Sequence, residues 1–506
     1  MSSLADVDPL QAQSSSFHPF RQPEMTRDIE IYSSLGRSFL DISESGGLKV
    51  GRSFASWCRG NNQDDTTSDR TRAISETLAD HLRVPPSSNE KGLESILSMI
   101  PLAPSLIQVT GFTRKTGNPW NPGKYVAGMV KRGADDSEEA KSTWDSLGKA
   151  YLRPCDPSNT DRDRWASLIE EELDKLRENW SGIRGDQVLG SLPTSGKSLQ
   201  SIDFPPPSFP ARSFVQDLHA IDSLSVKLTR RQWISMLDSF LRLALVSDLL
   251  WIAALNTGLA NLIHQVSETP EEIPTAEDLG RALLPQFFPL LIGADASEAL
   301  RDSIRSYAKA RIFVREFLNA LRAKHSSKII EIEEAGGLNT AEGVIKTLKT
   351  AALENGGLVK EADVQTFKSL GANPDFMRMA KSQNWTAQWF FCCKMALGQR
   401  GTFKEEDRHF DQGYWCKRKG ASKNSPVKFD IGPVGLLTMT HLANVENEGI
   451  VTVSALQRHL ARYGVGVSEN DLASGRIGQD LRRLGLVHDS PDAEGGMILK
   501  SPFQTS

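Results

Sequence analysis

Cysteine is scarce in this chain. Five are spread over 506 residues, and Cys392 and Cys393 are neighbours. That number and spacing do not build a disulfide framework, and a reducing cytoplasm is the expected compartment. The sequence has no Cys-x-x-Cys pair. Cys392, Cys393, His409 and Cys416 are a conceivable zinc set, but adjacent cysteines on a helix point about 100° apart and rarely share one metal. Buried thiols are the simpler reading, and no cofactor is expected. Basic charge is also missing. The formal net charge is −4 and the pI about 6.2, which excludes a whole-protein field for nucleic acid and leaves only local contacts. The first residues offer neither a charged n-region nor an apolar h-region, so no secretory signal is visible.

Enzyme signatures are missing too. There is no serine-nucleophile elbow, dinucleotide fingerprint or His-Glu-x-x-His. Gly190 to Ser198 imitates a phosphate loop, ending Gly196-Lys197-Ser198. The glycine needed with four residues between falls on Ser191, one place after Gly190, and Leu199–Pro207 cannot supply the helix that follows. Glu331 and Glu333 share a face if 329–334 is a strand, as in metal-dependent nucleases, but no lysine completes such a core. His219 and Asp222 sit at i, i+3 and could pair on a helix, an arrangement that is usually only surface decoration. Such absences do not exclude an enzyme, because catalytic residues converge in space rather than in sequence. A non-enzymatic chain is expected, with a protein-docking scaffold as one alternative and an unrecognised nuclease or hydrolase in residues 30–185 as another.

What is present is helical periodicity. Residues 1–29 read as a flexible tail and 30–185 as a mostly helical domain with a strong helix over Asp161–Trp180. Residues 186–212 read as a linker around Pro205-Pro206-Pro207, 213–400 as a helical domain, 401–430 as a basic linker, and 431–506 as a separate C-terminal domain. Phe112–Met129 reads as a turn-rich loop. Arg114, Lys115 and Lys124 could touch phosphate there with Trp120 stacking, but a Trp-anchored connection is the expected case. In the second helical domain, Trp233–His264 is the most apolar block. Helices are expected over Glu272–Leu291, Ser297–Lys324, Ala341–Glu354, Glu361–Leu370 and Trp385–Leu397. Leu249–Val266 carries no formal charge, but Asn256, Asn261, His264 and Gln265 make it a buried core helix rather than a membrane span.

The C-terminal stretch carries the functional signal. Gly432–Val445 and Val453–Tyr463 have helical spacing. Ser468 and Asp471 form a capping box that starts a third helix, with Ala473, Ile477, Leu481 and Leu484 on its buried side. Gly485 stands where a helix C-terminus takes glycine, and Leu486–His488 and Met497–Leu499 flank a polar hairpin tip.

Three helices followed by a hairpin resemble the winged helix-turn-helix superfamily, with Gly475–Leu486 as its recognition helix entering the first wing strand. The likeness covers about seventy residues and implies a fold. The expected class is thus mainly α, a multi-domain helical protein with a C-terminal winged helix-turn-helix. The superfamily mostly binds duplex DNA, and many members dock proteins instead. Large helical proteins with one terminal winged helix resemble accessory subunits of bacterial DNA-processing or anti-phage machines, and that is the function the likeness implies. The candidate DNA contacts are Arg476, Gln479, Arg482 and Arg483 on the recognition helix, with Lys417, Arg418 and Lys419 beside it. Gly475 and Gly478 are expected to face outward and let the backbone approach a groove. Expected partners are duplex DNA and, through the helical body, other proteins. No membrane is expected. Between Gly432 and Phe503, six Lys/Arg face eight acids, so the module is not basic in total.

Overall fold

One long helix carries the rest. In the computed structural model α4 runs Arg230–Glu268, about 58 Å of continuous helix at the standard rise. Thr229 starts it with a capping box: its hydroxyl accepts from the Gln232 amide at 3.3 Å, and the Gln232 side chain accepts from the Thr229 amide at 3.2 Å. Residues 236–251 are all buried, Leu237, Phe240, Leu243, Leu245 and Trp251 among them, so this stretch of the helix is covered on every side. Its apolar part passes a length-and-composition test for a membrane span, yet that window is 88% buried inside the fold. Leu250, Trp251 and Leu255 are all buried.

The structure describes residues 122–153, 210–268, 290–294, 296–324, 341–354, 356–372, 415–418, 427–446, 451–488 and 497–503, with 273–275 and Ser167, Asp278 and Leu397 singly. The described residues are mainly helical. In chain order, α1 is Pro122–Gly133, α2 Ser137–Leu152, α3 Pro210–Ser223 and α4 follows. Then come β1 Leu290–Leu291, α5 Ala296–Lys324, α6 Ala341–Glu354 and α7 Gly356–Ala372. A ribbon follows, β2 Cys416–Arg418 and β3 Val427–Phe429. The C-terminal unit is α8 Pro433–Glu446, β4 Val451–Thr452, α9 Val453–Arg462, β5 Val465–Gly466, α10 Glu469–Ala473, α11 Arg476–Arg483, β6 Val487–His488 and β7 Ile498–Leu499. Most helix limits lie close to those expected from periodicity. The expected helix over Asp161–Trp180 lies outside the described residues except for Ser167, and the Gly190–Ser198 loop, the 329–334 carboxylates and most of Trp385–Leu397 lie outside them too.

Four expectations need correction. The turn-rich reading of Phe112–Met129 fails from Pro122 onward, because proline is well suited to the first helical position and opens α1. The linker expected over 186–212 ends early, since Pro210, likewise at the head of a helix, opens α3. The helix expected through Leu291 gives way to β1, which pairs in parallel with β5. The basic linker over 401–430 contains the antiparallel β2–β3 ribbon. It is pinned by Trp415, which is fully buried and whose indole N–H donates to the Ser239 carbonyl of α4 at 2.8 Å.

Helices α1, α2 and α3 pack on one another, and α1 and α3 pack on α4. Gly133 allows the α1–α3 crossing: a Cβ there would stand 1.8 Å from the Ala211 carbonyl oxygen. The Arg132 guanidinium on α1 pairs with Asp248 in the middle of α4, both buried, and Arg242 pairs with Asp238 at 2.5 Å. Buried charges of this kind persist only when paired. His219 and Asp222 on α3 do not pair with each other. His219 shares a 3.0 Å hydrogen bond with Thr143, and Asp222 accepts from Ser146, so both clasp α2. Arg230 closes the C-terminus of α2 by donating to the Ala150 carbonyl at 2.8 Å and to that of Tyr151.

Candidate nucleic-acid interface

The C-terminal unit places three helices, α8, α9 and α11, beside a sheet of strand order β4-β7-β6 in which all pairs are antiparallel. Thr452 caps α9 by accepting from the Ala455 amide, and Ser468 caps α10 by accepting from the Asp471 amide at 3.1 Å while its hydroxyl donates to the Asp471 carboxylate. The single helix expected from Ser468 is two. Ser474 closes α10 and Gly475 is the N-cap of α11. A Cβ at Gly475 would meet the Asp471 Cα at 2.7 Å, so a glycine lets the turn fold this tightly. Beyond α11, Gly485 at φ +70° closes the helix: its amide bonds to the Arg482 carbonyl and the Leu486 amide to that of Leu481, both at 2.9 Å.

Ile477 and Leu481 are buried as expected, with Leu472 beside them, while Ala473 and Leu484 are only half-buried. Gly478 does not face outward. It is buried against α10, where a Cβ would stand 2.5 Å from the Leu472 carbonyl oxygen. The break between α10 and α11 turned this glycine inward, so it serves helix packing and not groove approach.

Four side chains were candidates on α11. Gln479 is exposed. Arg483 is three-quarters exposed and pairs with Asp480 at 3.3 Å. Arg482 is exposed, and one of its amino groups donates to the Ala473 carbonyl at 2.9 Å, tying it to α10. Arg476 is half-exposed and pairs with Asp430, whose carboxylate also accepts from the Ile431 amide at 2.9 Å. That ion pair fastens the start of α11 to the segment leaving β3. Lys417 and Arg418 lie on β2, in register with Lys428 and Val427 of β3, and Lys419 lies outside the described residues. Gln479, Arg482 and Arg483 thus form the outward face of α11. Arg476 has a structural duty as well.

The unit is docked on the helical body through its other helices. α8 packs on α3 and α4. The segment 290–294 runs between the two. Its Ile292 amide donates to the Gly466 carbonyl, and Gly293 and Ala294 exchange backbone bonds with Phe429, all at 3.0 Å. His459 of α9 is fully buried, with Nε2 3.1 Å from Asp217 of α3 and Nδ1 2.9 Å from Glu446 at the end of α8. Tyr463 donates its hydroxyl to the same Asp217, and Arg462 pairs with Glu446. Burial pushes the His459 imidazole down, but the two carboxylates outweigh it and hold it at about 9. Burial pushes the Tyr463 phenol well above its ordinary value, helped by Asp217. His441 on α8 is the opposite case. It shares a 3.1 Å hydrogen bond with Ser501 and meets the Phe503 ring edge-on, and burial pushes it down to about 4.

The sequence reading missed both histidines. A usable signal existed at His459, which falls on the apolar stripe of Leu456, Leu460 and Tyr463; a titratable group on such a stripe must find a partner. Among the described residues no group of three or more His, Cys, Asp or Glu side chains is arranged to hold a metal. No family model, curated protein or solved structure matches this chain.

Proposed function

We propose that the C-terminal unit is a winged helix-turn-helix that holds duplex DNA, and that the chain is a non-enzymatic accessory subunit whose helical body binds protein partners. One observation carries the proposal: the unit meets the body through α8 and through His459 and Tyr463 at the end of α9, while α11 keeps Gln479, Arg482 and Arg483 on the outside. Docking through α8 and the end of α9 leaves outward the helix that such modules insert into a major groove. Glutamine and arginine are side chains suited to base edges and phosphates. Attraction at longer range would come from Lys417, Arg418 and Lys419.

A second reading is a scaffold whose α11 docks a protein. It is favoured by the acid excess of the unit and by the internal bonds of Arg476 and Arg482. Binding of the full chain to a labelled short duplex across a salt series separates the two. DNA binding predicts weak association that falls steeply with salt. Arg482→Ala with Arg483→Ala should flatten the log–log salt slope by about 1–2, the share of two phosphate contacts. No binding at low salt, together with tight retention of a protein partner, would leave the scaffold.

A further inference from the structure

The junction between the C-terminal unit and the body is built round one imidazole. Both ring nitrogens of His459 lie within 3.1 Å of carboxylate oxygens, on Asp217 from α3 and Glu446 from α8. A neutral imidazole has one N–H and one lone pair, so it could serve only one of these carboxylates and would repel the other. Two carboxylates beside a buried ring favour the charged form, through a hydrogen bond at Nδ1 and a charge contact, without hydrogen-bond alignment, at Nε2. Every neighbour agrees with that. From its own helix, Arg462 engages Glu446, and Tyr463 donates to Asp217 as a neutral phenol. From α4 the contact is the uncharged Phe240, edge-on to Tyr463 at 5.9 Å and stacked on Phe214 of α3 at 5.4 Å. Lys227 and His441 act on the same region, and His441 is held neutral there. Two carboxylates therefore face two cations, His459 and Arg462, with both cations in the last turn of α9 where the helix dipole favours them.

We propose that protonated His459 is a latch that fixes the C-terminal unit to the helical body and releases it when the proton is lost. Release follows from the charge count. Without the imidazolium the ring keeps one N–H but no charge, so one of the two carboxylates faces a bare nitrogen lone pair and the buried Asp217 loses the cation beside it, a costly state that opening to water relieves. Glu446 keeps Arg462 and stays in place. The folded imidazole holds its proton up to about 9, above its ordinary 6.5. The latch is therefore complete below about pH 6.5 and weakens as pH rises through about 9. It operates whatever α11 binds.

The test uses the full chain with ¹³C-labelled histidine, together with amide hydrogen exchange corrected for the chemical effect of pH. In the wild type, the His459 imidazole should titrate well above 6.5. Exchange over α9 should be about tenfold faster or more at pH 10 than at pH 7, with the middle of α4 unchanged. His459→Gln should show fast exchange over α9 already at pH 7, and Asp217→Asn should bring the His459 titration down. A wild-type His459 titrating at or below 6.5 would overturn the latch, and that measurement needs no variant to fold. So would exchange over α9 that is the same at pH 7 and pH 10.

Discussion

Truncating Trp415 asks whether the segment before the C-terminal unit is an anchor or a tether. The indole is fully buried and gives its N–H to the Ser239 carbonyl at 2.8 Å. Its backbone amide donates to the Leu397 carbonyl at 3.0 Å, and its carbonyl accepts from the Asp430 amide at 2.9 Å. The ring lies nearly parallel to Phe429, with centroids 6.1 Å apart. Trp415→Ala removes the whole ring from a site closed by α4 and β3, which costs about 3–5 kcal/mol for a buried aromatic. Trp415→Phe keeps most of the apolar volume and loses the hydrogen bond. Ser239 sits in mid-helix, where its carbonyl retains a backbone partner, so the loss should be about 1–2 kcal/mol. Urea denaturation of the full chain measures both. The ranking Ala well below Phe, and Phe below wild type, is the expected result, with protease cuts near 415–430 appearing first in the Ala variant. A loss under about 1 kcal/mol for Trp415→Ala would refute the reasoning and restore the linker.

Two further outcomes are expected. Gly485→Ala should cost about 1 kcal/mol in thermal or urea unfolding, because φ is +70° and nothing lies within 4 Å of the new methyl, so only backbone strain is felt; Gly133→Ala should cost far more, since its Cβ meets a carbonyl oxygen, and equal losses would contradict the crossing. Stability should also fall as pH drops from 6.5 toward 4, because unfolded His441 gains its proton near 6.5 while the folded one waits until about 4. The span corresponds to on the order of 3 kcal/mol. Below about pH 5.5 His459 is protonated in both states and contributes no slope, while nearer 6.5 it contributes one of opposite sign. His441→Gln should reduce the fall in stability between about pH 6 and 4.5, and an unchanged profile would count against a buried neutral imidazole.

Periodicity and caps made much of the fold legible. Ala341–Glu354 was placed to the residue, and Ser468, Thr452 and Gly485 do what their residue types advertise. Legibility failed where a few residues act through distant partners. β1 and the β2–β3 ribbon are too short for any local pattern, and they exist because Leu290–Ala294 lies between Gly466 and Phe429. Pro122 and Pro210 were read as loop residues because proline serves turns and helix starts equally well. On α11 the exposed face was legible from Ile477 and Leu481, but the inward turn of Gly478 was not. It depends on the break at Ser474, which the apolar spacing across 473–484 concealed. The Arg476–Asp430 pair and the His459 cluster join residues far apart in the chain, beyond the reach of any window.

The central claim is that α11 faces duplex DNA while α9 faces the body. Hydrogen exchange of the full chain with and without a saturating short duplex tests it most directly. Slower exchange across residues 475–488, with α9 and the middle of α4 unchanged, is the result expected. No added protection over α11 at low salt, or protection confined to α3 and α9, would contradict it.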